Sequence, residues 1–222
     1  MPGIPTDSNL FALPAGLPPP TDDGAARHLA GSVVPHVKLR STGGGTVDVG
    51  QVAEHLSVFF LYPATIAPPA VIPGEWSAIP GARGDTIQNV GFREAYQEFS
   101  GLGCRVFGVS GQGQSDPEIG LAEQVDLKRR LQLPFDLLND SRFELVRALR
   151  LPTFVARLKH PTVEFEGQLA TFPLQGRTLV KRLTFVADHG RVVKVFYPVF
   201  PPDQHARQVV EYLRVRSPSR SP

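Results

Sequence analysis

The chain has 222 residues, of which 41% are apolar and 20% are charged. This length and composition predict one globular domain with a substantial core. The net charge of +2 gives no reason to expect a nucleic-acid partner. The longest apolar run, residues 58–62, is far shorter than the ~20 residues that cross a membrane, and no basic stretch followed by an apolar run begins the chain. We therefore expect a cytoplasmic protein without a membrane partner.

Cysteine and histidine usage narrows the possible chemistry. Cys104 is the only cysteine, which excludes an intrachain disulfide, a CxxC redox pair and a cysteine-rich zinc site. The histidines form no HxH or HExxH pair, so the sequence predicts neither a bound metal nor a cofactor. Arginine is much commoner than lysine, which is typical of a GC-rich bacterial genome.

Proline content and apolar spacing divide the chain into three parts. The proline-rich residues 1–25 predict an extended arm, residues 26–215 a single domain, and residues 216–222 a disordered tail. Residues 152–177 form a longer connection than an α/β domain needs. Their alternating apolar residues predict an extra hairpin inserted in the domain.

Within the domain, strand and helix patterns alternate. The predicted strands are residues 36–40, 46–49, 58–62, 104–110, 134–138, 178–187 and 191–199. The predicted helices are residues 85–102, 117–131, 141–151 and 203–214. Two βα units followed by a hairpin and a terminal helix indicate an α/β fold, with a mixed central sheet and helices on both faces.

Two segments are candidates for a functional site because each follows a buried strand. In such a fold, ligands bind beyond the carboxyl ends of the strands, where helix N-termini present free N–H groups. Residues 84–94 follow the strand that ends at Tyr62-Pro63, and residues 110–113 follow the next strand. The second segment has too few glycines, and no lysine, for a phosphate-binding loop.

Motifs in the first segment and in several strands occur in an order known from one family. They are Leu61-Tyr62-Pro63, Gly84, Thr86, Gln88, Phe92-Arg93-Glu94, Val106-Phe107-Gly108-Val109-Ser110, Leu133-Pro134-Phe135-Asp136, Lys181-Arg182-Leu183-Thr184-Phe185 and Phe196-Tyr197-Pro198. Over residues 30–215 the chain resembles the peroxiredoxins of the alkyl hydroperoxide reductase/thiol-specific antioxidant superfamily, in particular the bacterioferritin-comigratory or peroxiredoxin Q branch. The resemblance implies a thioredoxin-like fold.

The chain departs from that family at its reactive positions. By the resemblance, the peroxidatic cysteine falls at Asp85, the resolving cysteine at Val90, and a nearby threonine or serine at Ala82. Arg182 matches the arginine that stabilises the family's thiolate. Peroxide reduction passes through a sulfenic acid that a thiol recycles, and a carboxylate cannot enter that cycle. We therefore expect that the chain is not a thiol peroxidase.

Two roles for Asp85 follow from its position at a predicted helix start. As a helix N-cap it would contribute about 1 kcal/mol, with Gln88 completing a capping-box-like pair. As a catalytic group it would act together with Arg182, as a base or as a partner for a substrate donor. Beside an arginine and a helix N-terminus we expect the carboxylate to stay ionised with a depressed pKa, which would make it a poor base.

A substrate pocket around this pair would draw on residues near it in the chain or in the fold. The candidate substrate-binding residues are Tyr62, Thr86, Ala82, Trp76 and His36. Cys104, at the start of a strand, is expected to be a buried structural thiol. Residual redox chemistry at Cys104 is a further alternative. It would require that the protein consumes peroxide and that Cys104→Ser abolishes this activity.

Two classes of function remain open. In the first, the former peroxide site serves a non-redox enzyme for a small organic molecule whose anionic or carbonyl group faces Arg182. Its reaction would be an isomerisation, elimination, cyclisation or hydrolysis, possible steps of specialised metabolism. In the second, the chain is a non-catalytic pseudo-peroxidase that binds a ligand or acts as a scaffold. A monomer and a homodimer are both compatible with the sequence.

Overall fold

The computed structural model describes residues 9–66, 71–165 and 168–216. Its strands are β1 Lys38–Ser41, β2 Thr46–Asp48, β3 Ser57–Leu61, β4 Arg105–Ser110, β5 Asp136–Asn139, β6 Thr153–Val155, β7 Thr162–Phe165, β8 Gln168–Thr171, β9 Thr178–Val180, β10 Leu183–Asp188 and β11 Arg191–Phe196. Its helices are α1 Val49–Ala53, α2 Gly74–Ser77, α3 Asp85–Glu94, α4 Tyr96–Gly101, α5 Pro117–Leu131, α6 Glu144–Ala148 and α7 His205–Arg216, preceded by a 3₁₀ turn, Arg27–Leu29.

Seven of these strands form the main sheet, in the order β11-β10-β3-β4-β5-β1-β2. The pairs β3–β4 and β4–β5 are parallel, and the other neighbours are antiparallel. The mixed sheet predicted from the sequence is therefore confirmed. The parallel strands direct their carboxyl ends toward one edge, and the candidate segments follow those ends.

The central strand, β3, is buried along its whole length because its two faces are both covered. Phe59 faces a core cluster that includes residues of α1 and α6. Phe60 faces a second cluster with residues of α3, α4, α5 and α7, and its ring stacks on Phe92 with centroids 4.1 Å apart. Alternate side chains of one strand thus hold a helical layer on each face.

The predicted strand at residues 178–187 is wrong in one respect that matters for the site. It is divided into β9, which pairs with β6 in a separate small sheet, and β10, which belongs to the main sheet. The backbone N–H of Lys181 donates to the carbonyl of Pro152, and Lys181 and Arg182 form the link between the two sheets. A single strand would have placed these side chains on opposite faces of one sheet.

Other predicted elements are shorter than expected. The predicted helix 85–102 consists of α3 and α4, separated at Ala95, where ψ is 0°. The predicted strand 191–199 ends at Phe196, just before Pro198, which has no N–H for a sheet ladder. Asp48 ends β2 and begins α1, because its carboxylate accepts the N–H of Gln51.

The segment 152–177 covers the loop that precedes α3. It contributes β6 to the small sheet and contains the β7–β8 pair. Together with the loop it forms a third core cluster around Trp76 and Phe172, whose ring centroids lie 5.5 Å apart.

The predicted boundaries of arm, domain and tail stay predictions, and residues 1–8 and 217–222 of the arm and tail lie outside the described ranges. None of the helices that the structure describes is long and apolar enough to span a membrane.

Candidate functional site

Gly84 sets the start of α3. Its φ of +108° lies in a region that other residues rarely adopt, and a Cβ there would approach Cγ of Pro202 to 2.4 Å. Asp85 is the first residue of α3, and the backbone N–H of Ala64, just beyond β3, donates to its side chain. The carboxylate therefore lies at the edge of the main sheet where the sequence predicts the site.

Arg182 approaches Asp85 from the link between β9 and β10. Its Nη2 lies 2.6 Å from Oδ1 of Asp85 and 3.2 Å from the carbonyl oxygen of Arg83. Its Nη1 donates to Oε1 of Gln88. The side chains of Arg182 and Asp85 are only 1% and 8% exposed, so this is a buried ion pair. The structure thus brings together the two residues for which the sequence suggests a catalytic role.

Asp85 is not the helix cap. The N-cap is Gly84, and no side-chain cap hydrogen bond is present at the start of α3. The backbone N–H of Gln88 donates to the carbonyl of Gly84, while its side chain bonds to Arg182 instead of completing a capping box. The capping interpretation of the sequence is therefore wrong, because the arginine attracts both side chains away from the helix end.

The protonation of Asp85 also differs from the expectation. Burial removes water from the carboxylate and raises its pKa to about 6, although Arg182 and, more weakly, Arg83 favour the charged form. The depressed pKa expected from the arginine and the helix N-terminus is therefore wrong, since desolvation outweighs both attractions. The carboxyl group titrates close to neutral pH.

Several polar atoms of this cluster lack a hydrogen-bond partner among the described residues. They are Nε of Arg182, Nε2 of Gln88 and Oδ1 of Asn89. A buried donor without an acceptor costs about 1–3 kcal/mol, and such groups in native proteins are normally satisfied. The cluster can therefore donate to at least one further oxygen atom.

Two cavities adjoin the ion pair from different sides. The Asp85 pocket has a volume of about 20 Å³ and is lined by Asp85, Thr86, Trp76 and, from the arm, Leu10 and Ala12. A volume of about 20 Å³ holds no more than a single water molecule.

The Arg182 cavity is much larger, about 370 Å³. Its walls are Pro20, Thr21, Ile79, Pro80, Gly81, Phe154, Lys181, Arg182, Tyr197, Pro198 and Val199. The two cavities share no lining residue, because the ion pair stands between them. The arm contributes to both, and it is anchored near Asp85 by the carbonyl of Asn9, which accepts from Nη2 of Arg83 at 2.6 Å.

The other predicted pocket residues are placed unevenly. Trp76 and Thr86 line the Asp85 pocket. Ala82 is fully buried in the third core cluster and lines neither cavity. Tyr62 is fully buried, and its hydroxyl oxygen accepts from Nε2 of Gln124 at 3.0 Å. Burial raises the pKa of Tyr62, so its hydroxyl stays protonated.

The structure does not bring His36 to this site. Its side chain is exposed and bonds to Asp48 through Nδ1 at 3.1 Å, and its backbone packs beside Gly50 at the start of α1. His36 lines neither of the two cavities. The early hairpin lies at the far side of the main sheet from β10, which explains the distance.

Sequence reasoning missed the polar groups at the mouth of the Arg182 cavity. Nζ of Lys181 lies 2.7 Å from Asp23 of the arm, and the hydroxyl of Tyr197 donates to the same carboxylate at 2.8 Å. These contacts hold the pKa of Asp23 well below its usual range. The adjacent lysine and arginine at 181–182 are visible in the sequence, but their pairing with the arm is not.

The remaining candidates for chemistry are groups of metal-ligating side chains and the thiol of Cys104. Across residues 9–66, 71–165 and 168–216 no three His, Cys, Asp or Glu side chains are grouped so that they could hold a metal ion. Cys104 is buried, and burial raises the pKa of its thiol to about 12. A thiol with that pKa is a poor nucleophile at neutral pH.

The chain is similar in sequence to known proteins. No family model matches the chain. It is 26% identical to a chloroplastic peroxiredoxin Q of Gentiana triflora over 211 residues, 92% of this chain and 78% of that protein. It is also 26% identical to the chloroplastic peroxiredoxin Q of japonica rice over 185 residues, 83% of this chain and 66% of that protein.

Solved structures agree on the fold. The bacterioferritin comigratory protein of Xanthomonas campestris superimposes with a TM-score of 0.55 at 20% identity, covering 82% of this chain and 92% of that one. A cysteine-to-serine variant of PrxQ from Xylella fastidiosa gives a TM-score of 0.59 at 18% identity, covering 85% and 96%. Peroxidoxin BcpB of Mycobacterium tuberculosis gives 0.56 at 21% identity, covering 84% and 96%.

The chain therefore has the thioredoxin-like fold of the peroxiredoxins. Its sequence is similar to the peroxiredoxin Q proteins over most of its length, as the motifs predict. Its single cysteine, Cys104, lies in neither position that the resemblance assigns to the reactive cysteines. Both family cysteines are absent, while an arginine still faces the position that a carboxylate now occupies.

Proposed function

We propose that this protein is a non-redox relative of the peroxiredoxins that binds a small organic molecule in the Arg182 cavity. The ligand has an apolar body and a carbonyl or carboxylate oxygen that accepts from Nε of Arg182. The observation that carries this proposal is the Arg182 side chain, which lines a cavity of about 370 Å³ and whose Nε lacks an acceptor among the described residues. Because this Nε is shielded from solvent, the guanidinium has to shift for the ligand oxygen to reach it.

The walls of the cavity support this class of ligand. Its volume lies in the ordinary range of small-molecule sites, about 300–1,000 Å³. Ile79, Phe154 and Val199 supply apolar surface, while Lys181 and Arg182, each paired with a carboxylate, supply the polar part of the wall. Because Asp85 already neutralises much of the charge of Arg182, a neutral carbonyl oxygen suits the site as well as an anion does.

Binding of a fluorescent apolar anion tests the proposal. The probe is 8-anilinonaphthalene-1-sulfonate, titrated into the wild type, Thr21→Trp and Thr171→Trp. Thr21 is an exposed residue of the cavity wall, so an indole there takes up space that the probe would occupy. Thr171 is an exposed residue of β8, outside the cavity, and is the matched control.

We expect Thr21→Trp to weaken probe binding at least about tenfold, which corresponds to ~1.4 kcal/mol, and Thr171→Trp to leave it unchanged. Equal binding to all three proteins would show that the probe does not use this cavity and would contradict the proposal.

Catalysis at Asp85 is a second candidate, favoured by one observation. The pKa of Asp85 is raised to about 6, and a general base works best with a pKa near the operating pH. The Asp85 pocket is too small for a substrate, so Leu10 and Ala12 would have to move away. Isomerisation, elimination, cyclisation and hydrolysis would each use such a base.

Turnover of a ligand that copurifies with the protein separates the two candidates. The ligand is identified by native mass spectrometry and incubated with the wild type and with Asp85→Asn, which keeps the size of the side chain but cannot act as a base. A loss of turnover in the variant supports catalysis. If the ligand stays unchanged in both incubations, the protein binds it without catalysing a reaction.

A further inference from the structure

A third cavity lies where β3 and β4 end, and it shares Ala64 and Ile66 with the Asp85 pocket. Its volume is about 400 Å³. It is bounded by residues 64–66 after β3, residues 111–116 after β4, the first two turns of α5 and residues 173–179. We propose that this Gln112 cavity binds a small zwitterion of the α-amino-acid class, with its ammonium group on Glu123 and its carboxylate on Arg177.

The walls carry opposite charges that do not neutralise each other. Glu123 and Arg177 both line the cavity and are exposed, and neither forms an ion pair with a residue in the described part of the chain. Within the described ranges, the Glu123 carboxylate accepts one hydrogen bond, from Nε2 of Gln112 at 2.7 Å. A molecule with one positive and one negative group offers an ion pair to each of them in place of water.

Glu123 is held in place by a connected set of hydrogen bonds. Oε1 of Gln112 accepts from both the backbone N–H and the hydroxyl of Thr65, at 3.0 and 3.1 Å. The carbonyl of Gln112 accepts from Nδ2 of Asn139 at 3.1 Å. Gln112, Thr65 and Asn139 are all buried, so the amide that positions Glu123 is itself fixed. A site with preorganised polar groups loses less free energy on binding.

The loop and α5 approach each other closely beside this cavity. A Cβ on Gly120 would lie 2.5 Å from the carbonyl oxygen of Gln112, and one on Gly113 would lie 2.5 Å from Cα of Gly120. Both positions therefore require glycine, because no space remains for a side chain between the loop and the helix. This contact fixes the distance between Gln112 and the helix that carries Glu123.

The orientation of the zwitterion follows from what the helix end already binds. Asp116 caps α5, and its carboxylate accepts the backbone N–H groups of Glu118 and Ile119. The N-terminus of α5 is therefore occupied, which leaves Arg177 as the cationic partner for a ligand carboxylate. Surrounding protein atoms raise the pKa of Glu123, and an ammonium group would stabilise its charged form.

This inference is independent of the proposed function. The Gln112 cavity and the Arg182 cavity have no lining residue in common. Occupying part of the Arg182 cavity with Thr21→Trp should therefore leave binding at the Gln112 cavity unchanged, so the failure of one proposal can be distinguished from the failure of the other.

Titration calorimetry on the full chain tests the inference. The probes are the common α-amino acids, one at a time, and for each one that binds, the matching primary amine without the carboxylate and the matching acid without the amine. The variants are Glu123→Gln and Arg177→Gln. Glu118→Gln is the control, because Glu118 lies on the same helix but pairs with Arg40 outside the cavity.

We expect at least one amino acid to bind, with a dissociation constant that rises at least about tenfold in Glu123→Gln and in Arg177→Gln but not in Glu118→Gln. The single-charge analogues should bind more weakly than the amino acid. The inference is overturned if no amino acid binds, if all three variants bind like the wild type, or if an analogue with one charge binds equally well.

Discussion

Asp85 and Arg182 form an ion pair that is almost completely withdrawn from water. Removing two charges from water costs several kcal/mol, which their attraction repays only with good geometry and further hydrogen bonds. Here the further bonds come from Ala64 to the carboxylate and from the guanidinium to Gln88 and Arg83. The desolvation cost is offset only while both residues are present, so removal of either one leaves the other buried without its partner.

Asp85→Ala is expected to destabilise the protein by about 3–5 kcal/mol, because it leaves the guanidinium of Arg182 buried without a counter-ion. Urea unfolding measures the free energy of unfolding. The control is Glu98→Ala, which breaks an exposed ion pair with Arg214 and should cost at most about 1 kcal/mol.

A loss of only about 1 kcal/mol in Asp85→Ala would be the result expected of a helix cap and would contradict the role in the ion pair. The double variant Asp85→Leu with Arg182→Met should be more stable than Asp85→Ala, since no unpaired charge remains buried.

Hydrogen peroxide consumption is the second prediction at the residue scale. With a thiol reductant present, we expect the protein to consume peroxide no faster than the reductant alone, because position 85 carries no sulfur and burial raises the pKa of Cys104 to about 12. A horseradish peroxidase-coupled assay on the wild type and Cys104→Ser measures this. Consumption that disappears in Cys104→Ser would instead assign thiol chemistry to that cysteine.

At the scale of elements, the start of α3 depends on a single glycine. Gly84 combines a positive φ with a close approach to Pro202, whereas Gly44, in the turn between β1 and β2, has a φ of +96° and open space around it. A comparison of alanine substitutions at the two positions therefore separates the cost of the backbone conformation from the cost of the steric clash.

Gly44→Ala is expected to cost about 1–2 kcal/mol from the left-handed conformation alone. Gly84→Ala should cost at least about 1 kcal/mol more, because its Cβ would overlap the Pro202 ring. Thermal or urea unfolding of both variants gives the comparison. Equal losses would mean that the loop carrying Pro202 moves away freely, and that the start of α3 is less tightly packed than the structure indicates.

The strand link at residues 181–182 shows how an element boundary decides the surroundings of Arg182. Apolar alternation through residues 178–187 indicates a strand but contains no sign that the chain passes from one sheet to another. The partner strands, β6 and β3, are about 25 and 125 residues earlier in the sequence, so only their pairing determines the break. That break places Arg182 between the Asp85 cluster and the Arg182 cavity.

At the scale of the whole molecule, three buried groups contribute to how stability depends on pH. Burial raises the pKa of Asp85 and of Asp140 from 3.8 to about 6, and it lowers the pKa of His205 from 6.5 to about 4. Between about pH 4 and pH 6 the folded state keeps protons on the two acids that the unfolded chain has lost. In nearly the same window the unfolded chain holds a proton on His205 that the folded state lacks.

These contributions have opposite signs. Where the folded state binds more protons, stability falls as pH rises, and where the unfolded state binds more, stability increases with pH. Asp85 and Asp140 therefore lower stability from about pH 4 to pH 6, while His205 increases it up to about pH 6.5. Because two acids oppose one histidine, the net contribution of these three groups is a fall in stability from about pH 4 to pH 6.

Asp85→Asn isolates one of these contributions. The difference in unfolding free energy between this variant and the wild type should increase in favour of the variant by about 2 kcal/mol between pH 4 and pH 7, since each pKa unit corresponds to about 1.4 kcal/mol and the unfolded carboxyl is already partly ionised at pH 4. Urea unfolding at intervals across this range measures it. A difference that is constant, or that favours the wild type as pH rises, would show that the pKa of Asp85 is not raised.

The sequence by itself determined the class of fold and the residues at its centre. Buried strands such as β3 are recognisable from local apolar runs, and the motifs around Gly84, Phe92 and Arg182 mark the resemblance to peroxiredoxin Q. The replacement of sulfur by a carboxylate at Asp85 is likewise a fact of sequence alone. Each of these depends on residue identity and short spacing, which the chain carries without folding.

Only the tertiary structure decided what Asp85 does and where a ligand can bind. Its pKa and its separation from the helix cap depend on burial and on Arg182, 97 residues away along the chain. The mouth of the Arg182 cavity depends on the arm, where Asp23 pairs with Lys181, 158 residues later. Desolvation and cavity shape arise only when distant segments pack together, so no local pattern in the sequence encodes them.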